Sequence, residues 1–169
     1  MNILFIGGTG TISMAISKLL LAQGHTLYLV NRGNRNLDLS GDLIELKADI
    51  NDEATVASAI KDLSFDAVAD FIAFTPNQLE RDYRLFKNKT KQFVFISSAS
   101  AYEKPVSCYR ITEETPLVNP YWQYSRDKIA CEEYLMKLYQ EEQFPVTIVR
   151  PSHTYDECKV PLGIHGGKG

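Results

Sequence analysis

Apolar residues in this chain gather into six short runs, at positions 2–6, 26–30, 43–47, 65–71, 93–96 and 146–149. The first, Ile3-Leu4-Phe5-Ile6 behind Asn2, is continuous rather than alternating, as expected of a strand covered on both faces of a parallel sheet. Between the runs the period changes to that of a helix. Ile12, Ala15, Ile16, Leu19 and Leu20 predict one apolar helix face, closed by Gly24. Asn51 or Asp52 caps a second helix, with Val56, Ala59, Ile60 and Leu63 inward. Pro76 opens a third that turns Leu79, Tyr83 and Phe86 to the core, and a fourth runs over 121–142. Residues 32–42 are polar and without helical periodicity, although a parallel crossover usually carries a helix. Pro105, Pro116 and Pro120 make 102–121 irregular. The alternation predicts an α/β protein with a doubly wound parallel sheet of about six strands, helices on both faces, and a ligand crevice at the carboxyl ends of the strands.

Composition narrows this little. With 44% hydrophobic and 23% charged residues in 169, one domain with a real core is expected, not a disordered chain. A net charge of -3 argues against a general nucleic-acid binder. The basic run Arg81, Arg84, Lys87, Lys89 and Lys91 is read as a solvated helix face. Cys108, Cys131 and Cys158 fit neither a disulfide framework nor a zinc knuckle, so reduced thiols are expected. His153 and His165 have no second ligand at metal spacing, and no metal is expected. Trp122 is read as packing rather than a base-stacking platform. With neither a secretion signal nor a run long enough to span a bilayer, the expected setting is cytoplasmic and the expected membrane contact none.

Candidate chemistry lies at two places. Gly7-Gly8-Thr9-Gly10 follows the first strand and leads into a helix, the arrangement in which a helix N-terminus holds a pyrophosphate. Gly7 permits the tight turn and Gly10 lets a phosphate approach the main chain, with Thr11 and Ile12 as the next contacts. The second strand ends in Asn31-Arg32 instead of an acid for a ribose 2′-hydroxyl. A guanidinium there, assisted by Arg35, pairs with a 2′-phosphate, which favours NADP slightly over NAD. At the other end, Tyr124 and Lys128 stand four apart on one helix face. A phenol alone titrates near pH ~10, so an adjacent ammonium makes it an acid/base group usable near neutrality.

In chain order, the glycine loop, Asp49 after the third strand, Ser97-Ser98-Ala99-Ser100-Ala101-Tyr102 after the fifth, Tyr124 with Lys128, and Arg150-Pro151 after the sixth resemble the extended short-chain dehydrogenase/reductases. They are most similar to the NAD-dependent epimerases and dehydratases of nucleotide sugars. Val30-Asn31-Arg32-Gly33 and 151–155 look like an atypical branch that includes chloroplast RNA-binding relatives. Ser13 departs from the pattern, standing where a third glycine serves close helix–strand packing.

The resemblance implies Tyr124 as acid/base and Lys128 as its activator and holder of the nicotinamide ribose. Ser98 would bind the reacting oxygen, with Ser97 and Ser100 in reserve. Asp49 and Ile50 would sit near the adenine, although Asp49 equally suits a helix cap. It further implies a small-molecule substrate such as a nucleotide sugar, a homodimer through the helix carrying Tyr124, a cofactor domain over 1–150, and the start of a truncated substrate-binding region over 151–169. The expected activity is epimerase, dehydratase or reductase. A non-catalytic dinucleotide-binding or RNA-associated protein of the same fold is the alternative.

Overall fold

The computed structural model describes residues 1–33 and 39–155. Arg35, Cys158 and His165, named above, and most of the region over 151–169 lie outside them.

Six strands form one sheet: β1 (Asn2–Ile6), β2 (Thr26–Asn31), β3 (Leu43–Lys47), β4 (Ala67–Asp70), β5 (Phe93–Ile96) and β6 (Val146–Val149). Their order is β3-β2-β1-β4-β5-β6, every pair parallel. Ile3 of β1 stands opposite Leu27 on one side and Ala67 on the other. The chain therefore winds outward from β1 in one direction, returns to the middle, and winds outward in the other. Connections leave β1 and β4 to opposite sides, which opens a crevice above their carboxyl ends.

Four helices cover the sheet: α1 (Thr11–Ala22), α2 (Glu53–Ala59), α3 (Pro76–Phe86) and α4 (Gln123–Glu142). Side chains alternate across each strand, so one face carries Leu4, Ile6, Val68, Phe93 and Phe95, packed with Val56, Leu79, Phe86 and Leu135 from α2, α3 and α4. The opposite face carries Ile3, Phe5, Leu27, Leu29 and Ala69 against Leu21 of α1. Fully burying a Phe such as Phe86, Phe93 or Phe95 contributes about 1.5–3 kcal/mol. The larger cluster thus dominates the stability.

Helix starts follow their sequence signals. Asp52 caps α2 through Thr55 N at 3.2 Å and Thr55 Oγ1 at 2.6 Å. Pro76 occupies the first turn of α3, where Gln78 Oε1 accepts from Phe74 N and Thr75 N.

Several expectations are corrected. Ala15 and Leu19 of α1 face outward, Leu19 at 57% exposure, while Ser13, Ser17 and Leu21 are buried. The helix lies close to the sheet beside the glycine loop, and small side chains rather than the largest apolar ones fit that contact. Ala59 is exposed and Leu63 lies past the end of α2. The fourth strand spans Ala67–Asp70, shorter than the apolar run that suggested it, and α4 begins at Gln123 rather than Tyr121. Arg81 is not on the solvated face. It is buried, bonded to Asp82 by Nε at 2.8 Å and Nη2 at 3.0 Å, and to Asn51 Oδ1 by Nη1 at 2.7 Å. Arg84 does face solvent, paired with Glu53 at 2.6 Å.

Candidate functional site

A cavity of about 630 Å³ opens at the carboxyl ends of the strands, where the sheet order reverses. Gly7, Gly10, Thr11, Ile12, Asn31, Arg32, Asp49 and Ile50, all singled out from sequence, line it together. Ile72 and Ile96, from beyond β4 and the end of β5, and Thr154 complete walls that the sequence did not mark.

The glycine loop has a main-chain logic. Gly7 has φ +81°, and a Cβ on it would lie 2.3 Å from Ile72 Cγ2, so no other residue fits without displacing that wall. Gly10 is different, because a Cβ there would meet nothing nearer than Ser13 Oγ at 3.7 Å. What glycine keeps clear at position 10 is cavity, not protein. Ser13, in place of a third glycine, is 1% exposed and accepts from Gly10 N at 2.8 Å. Its hydroxyl is also within 3.2 Å of Gly10 O and 3.3 Å of Gly7 O, so the serine ties the loop internally. The first N–H groups of a helix lack intrahelical acceptors, and Thr11 and Ile12, which supply two of them, border the cavity. Open main chain at a helix N-terminus beside an exposed Arg32 fits an anionic, diphosphate-containing group.

Farther along the same rim, Asn31 Oδ1 accepts from Gly33 N at 2.8 Å and its Nδ2 donates to Glu45 Oε2 at 3.1 Å. Glu45, on the neighbouring strand, places an acid beside the Asn31-Arg32 turn that the sequence order had concealed. Asp49 Oδ1 accepts from Asn51 N and Nδ2, both at 2.9 Å. It shapes a turn, while Asp52 takes the capping role.

Lys128, Tyr124 and Ser98 do not line this cavity; Lys128 is bonded to the carbonyl of its wall residue Ile96. Lys128 is 1% exposed, and its ammonium donates to Ala73 O at 2.7 Å and Ile96 O at 2.8 Å. The Nζ lies 4.6 Å from the Phe95 ring centroid, 4.8 Å from that of Phe74 and 5.8 Å from that of Tyr124. Burial pushes its pKa down, against the opposing influence of Cys131, Asp70 and Glu132. Trp122 stacks on Tyr124 at 4.7 Å while remaining half exposed.

Ser98 follows β5. Its Oγ is 2.9 Å from Ser100 Oγ, which receives the Ser125 hydroxyl at 2.9 Å, and Asn119 Nδ2 donates to Ser125 at 3.2 Å. Ser97 is occupied otherwise. Its hydroxyl donates to buried Glu132, which also holds the Arg150 guanidinium by Nε and Nη2, and Arg150 in turn donates to Tyr102 Oη at 3.1 Å. Ser97 is thus engaged in the buried Glu132–Arg150 cluster, whereas Ser98 bonds to Ser100. Glu132 carries no local sequence signal, since its partners Ser97 and Arg150 are distant in the chain. Asp70, a charge inside the apolar run of β4, was a signal that could have been used.

The family model of the NAD dependent epimerase/dehydratase family matches residues 3–158. The chain is 28% identical over 156 residues to a UDP-glucose 4-epimerase of Lactobacillus helveticus, covering 80% of this chain and 46% of that protein. It is 28% identical over 116 residues to the chloroplast stem-loop binding protein of 41 kDa b of Arabidopsis thaliana, covering 61% of this chain and 30% of that protein. Among solved structures, a UDP-glucose 4-epimerase from Bifidobacterium longum in complex with NAD+ and UDP superposes with a TM-score of 0.70 at 20% identity, over 89% of this chain and 52% of that one. The chain thus spans less than half the length of these two curated relatives and about half of that solved structure.

Proposed function

The chain belongs to the NAD dependent epimerase/dehydratase family, and we propose that it forms the nicotinamide-dinucleotide-binding part of an oxidoreductase acting on the hydroxyl of a nucleotide sugar. One observation carries this reading: Gly7, Gly10, Thr11, Ile12, Asn31, Arg32, Asp49 and Ile50 line one cavity at the sheet's reversal point, and the wall residue Ile96 also holds Lys128, which does not itself line it. Relatives that carry UDP-sugar names, and one solved with NAD+ and UDP, support the class of cofactor and substrate.

In this proposal Gly10, Thr11 and Ile12 receive the diphosphate, Asp49 and Ile50 flank the adenine, and Asn31 with Arg32 meets the adenosine ribose. The exposed guanidinium of Arg32 favours a 2′-phosphate and hence NADP. The bound nicotinamide supplies the hydride acceptor. Tyr124 removes the proton from the substrate hydroxyl, with the Lys128 ammonium 5.8 Å from its ring centroid. Two main-chain carbonyls hold that ammonium, so it stays in place while Tyr124 takes up the proton of the substrate hydroxyl. Ser98 donates to the substrate oxygen as it becomes a carbonyl.

The test pairs the natural protein with Tyr124→Phe. Phenylalanine preserves the ring contacts with Phe74 and Trp122, so NADPH binding, read by fluorescence beside NADH, is expected to be unchanged and stronger than NADH binding. Turnover of UDP-sugars is expected to fall about 10²–10⁴-fold, the usual contribution of a positioned acid/base. Equal turnover in the two forms would remove Tyr124 from the chemistry, and stronger NADH binding would reverse the cofactor preference. A non-catalytic, RNA-associated protein is the second reading, carried by likeness to the stem-loop binding protein. Salt-dependent RNA binding with no turnover by the natural protein would select it.

A further inference from the structure

One buried carboxyl beside the proposed site has no part in the chemistry above. Asp70 is the last residue of β4 and is 0% exposed. Its Oδ1 accepts from Ile72 N at 2.7 Å and from Ala73 N at 2.9 Å. An aspartate that binds the main chain two and three residues ahead fixes a turn at the strand's exit. The turn leads to Ala73, whose carbonyl accepts from Lys128 across 55 residues of sequence.

An ammonium has three N–H donors. Ala73 O and Ile96 O take two from Lys128, so the heading of the third is set by where those two carbonyls stand. Ile96 O belongs to β5 and is fixed by the sheet. Ala73 O belongs to no strand, and the Asp70 carboxyl binds the N–H of the same residue.

The other carboxylate oxygen of Asp70, Oδ2, is buried without a hydrogen-bond partner among the described residues, and Asp82 is its charged neighbour. Burial, then the charge of Asp70, raises the Asp82 pKa, against the pull of Arg81. Arg81 continues the chain of contacts to Asn51 on the cavity wall. The groups facing Lys128 are Asp70 from β4, Cys131 and Glu132 from its own helix, and the rings of Phe74, Phe95 and Tyr124.

We infer that Asp70 is a positioning residue for Lys128, acting through the turn at 71–73 to place the Ala73 carbonyl and thereby orient the ammonium in the site. The inference rests on the role proposed for Lys128, but the lysine itself reports on it. A protein that turned over no substrate would still give a readable outcome.

Competitive acetylation followed by mass spectrometry gives the reactivity of each lysine relative to the others. Lys89 is the internal control, because its ammonium also donates to two main-chain carbonyls, Lys61 O at 2.7 Å and Leu63 O at 3.3 Å, at a separate location. Asp70→Ala removes the acceptor, whereas Asp70→Asn keeps an oxygen for the two amides and removes only the charge. In folded Asp70→Ala, Lys128 is expected to react about ten-fold faster relative to Lys89, the effect of losing one charge-assisted hydrogen bond. In Asp70→Asn, which loses the charge that favours the ammonium but keeps the turn, it is expected to rise clearly less than in Asp70→Ala. An unchanged Lys128 in Asp70→Ala, an equal rise in Asp70→Asn, or a rise at Lys89 alike would each overturn the inference. Amide exchange of the unaltered protein covers the case in which Asp70→Ala does not fold. The Ile72 and Ala73 amides are expected to exchange about 100-fold more slowly than unprotected loop amides, and exchange at the unprotected rate would overturn it as well.

Discussion

The two ends of the crevice are built by opposite means. Around the glycine loop the geometry is local and largely main chain: a positive φ at Gly7, an absent Cβ at Gly10, and the Ser13 hydroxyl closing a loop three residues away. Gly10, Arg32 and Asp49 there are exposed. Around Lys128 the geometry is long-range and made by buried side chains. Lys128, Asp70, Asp82, Arg81, Glu132 and Ser125 are all buried, and their partners lie on other elements or on neighbouring turns. A site end made from main chain tolerates a departure from its pattern if the backbone path survives. One made from buried charges does not, because removing any partner leaves another desolvated and uncompensated.

This contrast predicts a ranking of effects. Glu132→Ala should be the most damaging, since it strands Arg150 and the Ser97 hydroxyl together. Breaking one partner of a buried pair costs about 3–5 kcal/mol, to be read as a loss of stability in urea unfolding. Gly7→Ala comes next. A Cβ at φ +81°, 2.3 Å from Ile72, is expected to cost about 1–3 kcal/mol of strain and to weaken dinucleotide binding by displacing the wall. If Gly7→Ala proved more destabilising than Glu132→Ala, the assignment of rigidity to the buried network would fail. Ser13→Gly should do least. It deletes one hydroxyl tie and restores the commoner residue, with an expected loss of about 1 kcal/mol or less and unchanged dinucleotide affinity by titration. A large loss of affinity would show that the serine, not the main chain, sets the loop.

How far each end could be read in advance follows the same division. The glycine loop, Asn31-Arg32 and Asp49 announce themselves because their spacing along the chain is their geometry, and the structure gathers them at one cavity. The pairing of Tyr124 with Lys128 was visible as helical spacing. That the lysine would be desolvated beneath Phe74 and Phe95, and bonded to Ala73 and Ile96, was not. Arg81 shows the limit most plainly. In a run of basic residues on an amphipathic helix, it reads as one more solvated charge, yet it turns inward because Asp82 beside it and Asn51 thirty positions earlier satisfy its donors.

The sequence by itself determined the parallel sheet and its six strands, because a strand covered on both faces must be apolar throughout and a dinucleotide turn must be glycine-rich. Only the tertiary structure decided which polar residues are interior. An Asp at the end of an apolar run, or an Arg on a charged helix, is buried or exposed according to whether a partner arrives from elsewhere in the fold. Arg81, for example, reaches Asn51 beyond β3 as well as its neighbour Asp82. Hydrogen-bond satisfaction is a property of three-dimensional neighbours, which local spacing does not encode.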